Sequence, residues 1–333
     1  MKRTCLITGG AGNLACQLTW RLASRFDHLL LVDRAARPVA ATAAAAEYAT
    51  ADVLDEPALR ALLARHRPTA IVHLASLLSG SCEHDRRLAW RVNCDGMVGL
   101  LELALEYGVK TFLFPSSVAS YGGELPNPLP EDAAQWPDGL YGVTKIAGER
   151  LGVYYQRAHG LDFRSVRLPI VVSRHAPPGA ASAYASRAFV EAVEQGRYVF
   201  PVRPRACVSL MYVEDALTAL VDLLQASEER LSRRVYNVQS ISPTAQEIAA
   251  AIQARLPRVE LSFDPHPIQA DLVERWPRAV VDASARHDWG WQPRFDLETL
   301  ADHFLEELQR ELPHASQLSA AGRAGAEQPR RQS

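Results

Sequence analysis

The run Lys2-Arg3-Thr4-Cys5-Leu6-Ile7-Thr8 leads directly into Gly9-Gly10-Ala11-Gly12-Asn13-Leu14-Ala15 and then an amphipathic stretch through Phe26. That order reads as a short buried strand, a glycine turn and a helix. Gly9 permits the tight turn, Gly12 lets a pyrophosphate approach the backbone, and Ala15 is small enough for close helix–strand packing. The N–H groups at the helix start, around Asn13 and Leu14, would hold phosphate oxygens. A second strand, His28-Leu29-Leu30-Leu31-Val32, ends in Asp33, 18 residues beyond Ala15 and 24 beyond Gly9. A carboxylate there accepts hydrogen bonds from an adenosine ribose diol. It also repels a 2′-phosphate, which favours NAD over NADP. Arg34 and Arg37 follow and read as solvated surface cations.

The alternation continues for two-thirds of the chain. Strand signals fall at 47–53, 70–76, 111–117 and 163–168, with helices at 55–66 (Pro57 in the first turn), 85–107 (stopped by Gly108) and 141–159 (stopped by Gly160). Regular βα repetition predicts an α/β fold built on a doubly wound parallel sheet. Ligands of such sheets collect beyond the carboxyl ends of the strands, where Asp33, Asp52, Ala75, Ser117 and Pro169 all fall. After Pro169 the character changes. Pro177-Pro178-Gly179 and 201–209 read as loops, with helices at 184–195, 214–226 and 244–255. The expected division is a dinucleotide-binding domain over 1–169 with sheet contributions from later segments, a smaller lobe that is mainly substrate-binding over 170–312, and a disordered tail over 313–333, where apolar periodicity stops.

Tyr141-Gly-Val-Thr-Lys145, preceded by Ser116-Ser117, carries the chemistry. Residues four apart stand one turn apart on one helix face, so the Lys145 charge is placed to favour the Tyr141 phenolate and make it a general base. A serine hydroxyl nearby would hold the reacting oxygen. His73 lies inside an apolar strand and reads as a core histidine; Trp289 and Trp291 read as core, and Arg203 and Arg205 as a solvated loop.

A net charge of −2 gives no reason to expect nucleic acid or an anionic membrane as partner, and the apolar stretches are too interrupted to span a bilayer. The five cysteines are scattered, none in a Cys-x-x-Cys pair, and no histidine cluster has ligand spacing. These features predict a cytoplasmic protein with reduced thiols and no metal site.

Taken in order, the glycine turn, Asp33, His73-Leu74-Ala75, Asn93, Ser116-Ser117 and Tyr141-x-x-x-Lys145 resemble the extended short-chain dehydrogenase/reductase superfamily. The likeness runs from residue 2 to about 310. Within it the chain most resembles the short-chain-type L-threonine 3-dehydrogenases, through Leu77-Leu78-Ser79, Tyr141-Gly-Val-Thr-Lys145-x-Ala-Gly-Glu149, the 160–167 segment, Leu210-Met211-Tyr212, Arg234-Val-Tyr-Asn-Val238, Trp276-Pro277 and the 282–291 segment. The resemblance implies a Rossmann domain and a cleft holding NAD and a small-molecule substrate. Tyr141 would take the proton from a secondary hydroxyl, Lys145 would lower its pKa and hold the nicotinamide ribose, and Ser117 would bind the reacting oxygen, with Ser116 structural. Asp52 and Val53 would border the adenine, Leu74 and Ala75 the ribose and phosphates, and Val171 the carboxamide. Ser79, Gly80, Gly179, Ser182 and Trp276 lie where the family meets its substrate. Helices 85–107 and 141–158 pair between subunits in relatives, which implies a homodimer.

The chain also departs from that family. Threonine dehydrogenases resemble one another in a Pro-Gly-Gly-Gly-Thr-Thr-Asp-Tyr stretch, where this chain has Pro177-Pro178-Gly179-Ala180-Ala181-Ser182-Ala183-Tyr184. A hydroxyl is lost at Ala181 and a carboxylate at Ala183. Such losses matter where a site is built to hydrogen-bond a zwitterion. The leading expectation is therefore NAD-dependent oxidation of a threonine-like β-hydroxy amino acid or a related β-hydroxy acyl compound. The alternative is a nucleotide-sugar epimerase or dehydratase, which usually carries an Arg-Asp pair where this chain has Val208-Ser209. A non-catalytic NAD sensor is the third reading, disfavoured by the intact Ser117, Tyr141 and Lys145.

Overall fold

Strands that are apolar on both faces require helices on both sides of their sheet, and the computed structural model, which describes residues 3–176 and 180–324, supplies them. The alternating part comprises β1 (Thr4–Thr8), α1 (Asn13–Leu22), β2 (His28–Asp33), β3 (Ala46–Thr50), α2 (Glu56–His66), β4 (Ala70–His73), α3 (Ser79–His84), α4 (Arg86–Trp90), α5 (Gly96–Glu106), β5 (Thr111–Ser117), α6 (Leu140–His159) and β6 (Asp162–Leu168). The rest adds β7 (Ile170–Val172), α7 (Ala183–Gln195), β8 (Arg197–Phe200), β9 (Leu210–Tyr212), α8 (Val213–Gln225), β10 (Val235–Asn237), α9 (Ala245–Arg255), β11 (Glu260–Phe263), α10 (Pro267–Glu274), α11 (Ala283–Trp289) and α12 (Leu297–Ala324).

Seven strands form one sheet in the order β10-β6-β5-β4-β1-β2-β3, every neighbouring pair parallel. This is the doubly wound arrangement expected. Successive strand residues point to opposite faces, and the core divides accordingly. Ile7, Leu29, Leu31, Val72 and Leu113 face a cluster shared with α1, α7, α8, α9 and α12. Leu6, Leu30, Val32, Ile71 and Phe112 face a second cluster shared with α2, α5 and α6.

Three local features add detail. The helix foreseen over 85–107 is present as one continuous helical run, in which α4 passes through a π-helical turn at Arg91–Asp95 into α5. Side chains anchor this run at its start and at the π turn. Asp85 caps α4 by accepting from Leu88 N at 3.0 Å, and Asn93, inside the π turn, clamps the Leu77 backbone with bonds of 2.8 and 3.0 Å. β10 joins the main sheet from late in the chain, and two small parallel pairs, β8–β11 and β7–β9, stand apart from it. Finally, α12 spans Leu297–Ala324. Alanine-rich sequence carries helix propensity without any apolar stripe. Among the described residues, no helix is long and apolar enough to cross a membrane.

Candidate active site

The glycine turn brings the ends of β1 and β4 together. Gly9 has φ +69°, and a Cβ on it would lie 2.7 Å from Ala75 N, so only glycine fits there. Gly12 sits at the N-cap of α1 and donates its N–H to Gly9 O at 3.0 Å. Asn13 opens the helix and reaches Ser173 Oγ at 3.4 Å. Asp33, at the end of β2, accepts from Ala11 N at 3.1 Å and from Ala35 N at 2.9 Å, which holds its carboxylate beside the turn.

Two connected hollows lie along the carboxyl ends of the strands. A cavity of about 120 Å³ is lined by Gly9, Asp33, Asp52, Val53 and Ala75, with Arg34 at its wall. It shares Gly9, Ala75 and Ser76 with a cavity of about 440 Å³ whose lining includes Gly12, Asn13, Leu14, Leu74, Ser117, Tyr141, Lys145, Val171, Ser182 and Trp276. A third, of about 230 Å³, continues past Tyr141 and is bounded by Ser79, Gly80 and Trp276. The residues singled out in the sequence thus gather around one cleft, except Gly179, which lies outside the described residues. The third hollow also has two carboxylates, Glu83 and Asp138, that sequence reading missed. Glu83 sits on α3, a six-residue helix that left no readable period, and Asp138 lies in the loop three residues before Tyr141.

Tyr141 and Lys145 occupy the first turns of α6, and the helix lies very close to the strand ends beneath it. A Cβ at Gly142 would stand 2.1 Å from Ala119 O, so glycine allows this approach. Lys145 Nζ donates to Pro115 O at 2.9 Å and stands 4.6 Å from the Phe114 ring centre and 5.4 Å from that of Tyr141. Ser117 Oγ accepts from Ala119 N at 3.1 Å, and the Ser117 hydroxyl lies near enough to the Tyr141 phenol to lower its pKa.

The electrostatics differ from the expectation. Burial pushes the Tyr141 phenol above its ordinary range, while the Ser117 hydroxyl pulls the other way. Burial also draws Lys145 down to about 8, opposed by Cys82 and Glu149. Desolvation of both groups opposes the support that a charged Lys145 gives the phenolate, so the phenol stays above its ordinary range. The Tyr141 ring keeps part of its surface open to the cleft, so water there moderates the shift. The Cys82 thiol is itself raised to about 11 by burial, and so is uncharged near neutrality and exerts little on either group at that pH. His73 bonds Thr8 Oγ1 through Nδ1 at 2.7 Å and is drawn down to about 3 by burial and by Lys145. It is a neutral core histidine, as read.

Beneath the cleft lies a buried polar network. Glu149, wholly inaccessible, accepts from Ser116 Oγ at 2.5 Å, from Gln135 Nε2 at 3.0 Å and from Arg167 at 2.9 and 2.7 Å. Arg167 in turn donates to Tyr121 Oη at 2.5 Å and to Asn237 Oδ1 at 3.2 Å. Asn93 Nδ2 donates to Thr144 Oγ1 at 3.0 Å, tying α6 to the π turn. Asn93 and Glu149 both stand in the motifs quoted from the sequence, but nothing there showed them buried and bonded.

A dinucleotide fits these residues. The glycine whose Cβ would clash leaves its backbone open, a helix starts at the turn, and a half-buried carboxylate sits in the side hollow. An arrangement of phenol, ammonium and serine hydroxyl on one cavity wall can bind an alcohol oxygen and move its proton.

The comparisons agree with this geometry. The chain is 34% identical over 304 residues, 90% of its own length and 81% of the relative's, to the mitochondrial L-threonine 3-dehydrogenase of Bos taurus. The X-ray structure of L-threonine dehydrogenase from Clostridium difficile superposes with a TM-score of 0.88 at 31% identity, covering 93% of this chain and 98% of that one. A monomeric L-threonine 3-dehydrogenase from a metagenome gives 0.85 at 29%, covering 92% and 99%. Residues 5–238 match the profile of the NAD dependent epimerase/dehydratase family. From its glycine turn to β10, the chain belongs to that family.

Proposed function

We propose that this protein is an NAD-dependent dehydrogenase that oxidises the secondary alcohol of a threonine-like β-hydroxy amino acid. The observation that carries the reading is the placing of Ser117, Tyr141 and Lys145 on one cavity whose far wall is the Gly9–Leu14 turn. Bound NAD would supply the acceptor for the hydride that leaves the carbinol carbon. The backbone from Gly9 to Leu14 would hold its pyrophosphate, Asp33 its adenosine ribose, Asp52 and Val53 its adenine, Leu74 and Ala75 the adjoining ribose and phosphates, and Val171 its carboxamide. Ser117 binds the substrate hydroxyl, Tyr141 takes its proton, and Lys145 supplies the cation beside the phenol. Ser79, Gly80, Gly179, Ser182 and Trp276 would enclose the rest of the substrate.

The nucleotide-sugar reading is less favoured. Val208 and Ser209 are both buried, and Ser209 bonds Gln239 at 2.7 Å, so these positions offer no guanidinium or carboxylate to nucleotide phosphates.

The same proposal takes 1–169 as the dinucleotide-binding part, with β10 lent to its sheet, and 170–312 as mainly substrate-binding. It further includes a homodimer through α5 and α6, which carry exposed Val98, Val143 and Tyr154. A cytoplasmic setting is supported by five free cysteines.

The test is NADH formation with NAD and a panel of L-threonine, L-serine, longer β-hydroxy amino acids and β-hydroxy acids. Turnover with at least one member is expected, reduced by roughly 10²- to 10⁴-fold in Tyr141→Phe, the usual span for a lost general base. No turnover of any member, or full activity in the variant, overturns the reading.

A further inference from the structure

His28 opens β2, Glu47 lies on the edge strand β3, and His66 closes α2. They are 19 residues apart in each step, a spacing that suggests nothing, yet the fold gathers them at the end of the sheet opposite the cleft. The two imidazoles lie face to face, ring centres 5.3 Å apart and planes within 5°. The Glu47 carboxylate spans them, with Oε2 at 3.0 Å from His28 Nε2 and Oε1 at 3.9 Å from His66 Nε2. All three donor atoms lie within 4.8 Å of one another.

From this geometry we propose that His28, Glu47 and His66 bind a first-row divalent cation of the zinc type. With zinc–nitrogen and zinc–oxygen bonds of about 2.0–2.2 Å, ligand atoms of a tetrahedral site stand roughly 3.3 Å apart. The observed separations bracket that figure, and the two rings, parallel here, must tilt relative to one another to direct both Nε2 lone pairs at one ion. Two imidazoles and one carboxylate suit zinc, nickel or cobalt; calcium and magnesium prefer all-oxygen sets. The Glu47 side chain is 44% exposed, leaving a fourth position open to water. An ion held here links β2, the sheet's edge strand and α2, and stabilises the folded chain by mass action. Asp33 lies five residues along β2 from His28, roughly 17 Å away at about 3.3 Å per residue, so the ion stands clear of the chemistry.

The test is zinc chloride titrated into chelator-treated full-length protein, followed by calorimetry and by thermal melting. One equivalent is expected to bind with a Kd below about 100 µM and to raise the melting temperature. His28→Ala and Glu47→Gln are each expected to weaken binding by roughly tenfold or more and to remove the melting shift. Glu47→Gln conserves shape at a partly exposed position, so loss of binding in that variant does not reflect misfolding if its far-ultraviolet spectrum matches. Both variants keep Cys207, the one cysteine among the five that is not buried, and the remaining histidines. Binding of unchanged strength in both variants, or none in the native protein, overturns the proposal.

Discussion

In the proposed reaction Tyr141 and Lys145 act together as a base whose strength depends on what surrounds it. With both groups buried, the phenol is raised and the ammonium is drawn down to about 8. The ammonium is thus charged below that pH and loses its proton as pH rises through it. The phenolate, favoured by a charged neighbour, loses that support at the same point. The pH profile of kcat/KM for alcohol oxidation is therefore expected to bend downwards above about 8. In Lys145→Arg the neighbour stays charged throughout the alkaline range. Its residual activity is expected to lack the bend; a bend at the same pH in both proteins contradicts the assignment to Lys145. Asp33 makes a separate prediction. Hydrogen bonds to charged groups contribute about 1.5–3 kcal/mol, so Asp33→Asn should weaken NAD binding by roughly ten- to a hundredfold and narrow the preference over NADP. Fluorescence titration of both dinucleotides reads this directly, and unchanged affinities would remove Asp33 from the ribose site.

Helix α6 is the element on which the site depends, because it carries the phenol, the ammonium and Glu149. Its seat is a close one at Gly142, where a methyl group would meet the Ala119 carbonyl. Gly142→Ala is expected to shift the helix start, cost about 1–3 kcal/mol of stability and lower kcat, as thermal melts and initial rates would show. Wild-type values for both would mean that the contact does not fix Tyr141. Glu149→Gln leaves the Arg167 charge buried without its partner, and breaking such a pair costs about 3–5 kcal/mol. A denaturation midpoint unchanged by this substitution would contradict the network. At this scale the sequence was unevenly legible. Strands β1, β2, β5 and β6 and helix α6 announced themselves by length, by apolar runs and by a glycine after the last turn. Strands β7 to β11 are three or four residues long, too short for any period to show. The π turn in the region read as one helix holds Asn93, which bonds a segment 16 residues earlier, a tertiary contact that local pattern does not carry.

At the scale of the molecule, the seven-stranded parallel sheet with a core on each face places the carboxyl ends of its strands on one side, and the cleft follows from that topology. The half proposed to hold the dinucleotide was readable because the glycine turn and Asp33 are near in sequence and bound to particular offsets. On the side proposed for substrate, Ser79, Gly80, Ser182 and Trp276 came only through the family resemblance, because its walls come from α3, the loop at Asp138, residues 180–182 and α10, brought together only by folding. Glu83 and Asp138 are the consequence: acids beside Tyr141 that no spacing foretold. Assembly belongs to this scale too. Sedimentation of the native protein is expected to give twice the chain mass, and Val143→Asp or Tyr154→Asp to shift it towards the monomer; a native monomer removes the α5–α6 interface. The central claim concerns where the carbinol hydrogen goes. A substrate carrying deuterium on its hydroxyl-bearing carbon, incubated with NAD and the enzyme, is expected to yield deuterated NADH, seen by mass spectrometry, and no label in Tyr141→Phe beyond trace amounts. Label released to solvent, or product formed with undeuterated NADH, would contradict direct hydride transfer in this cleft.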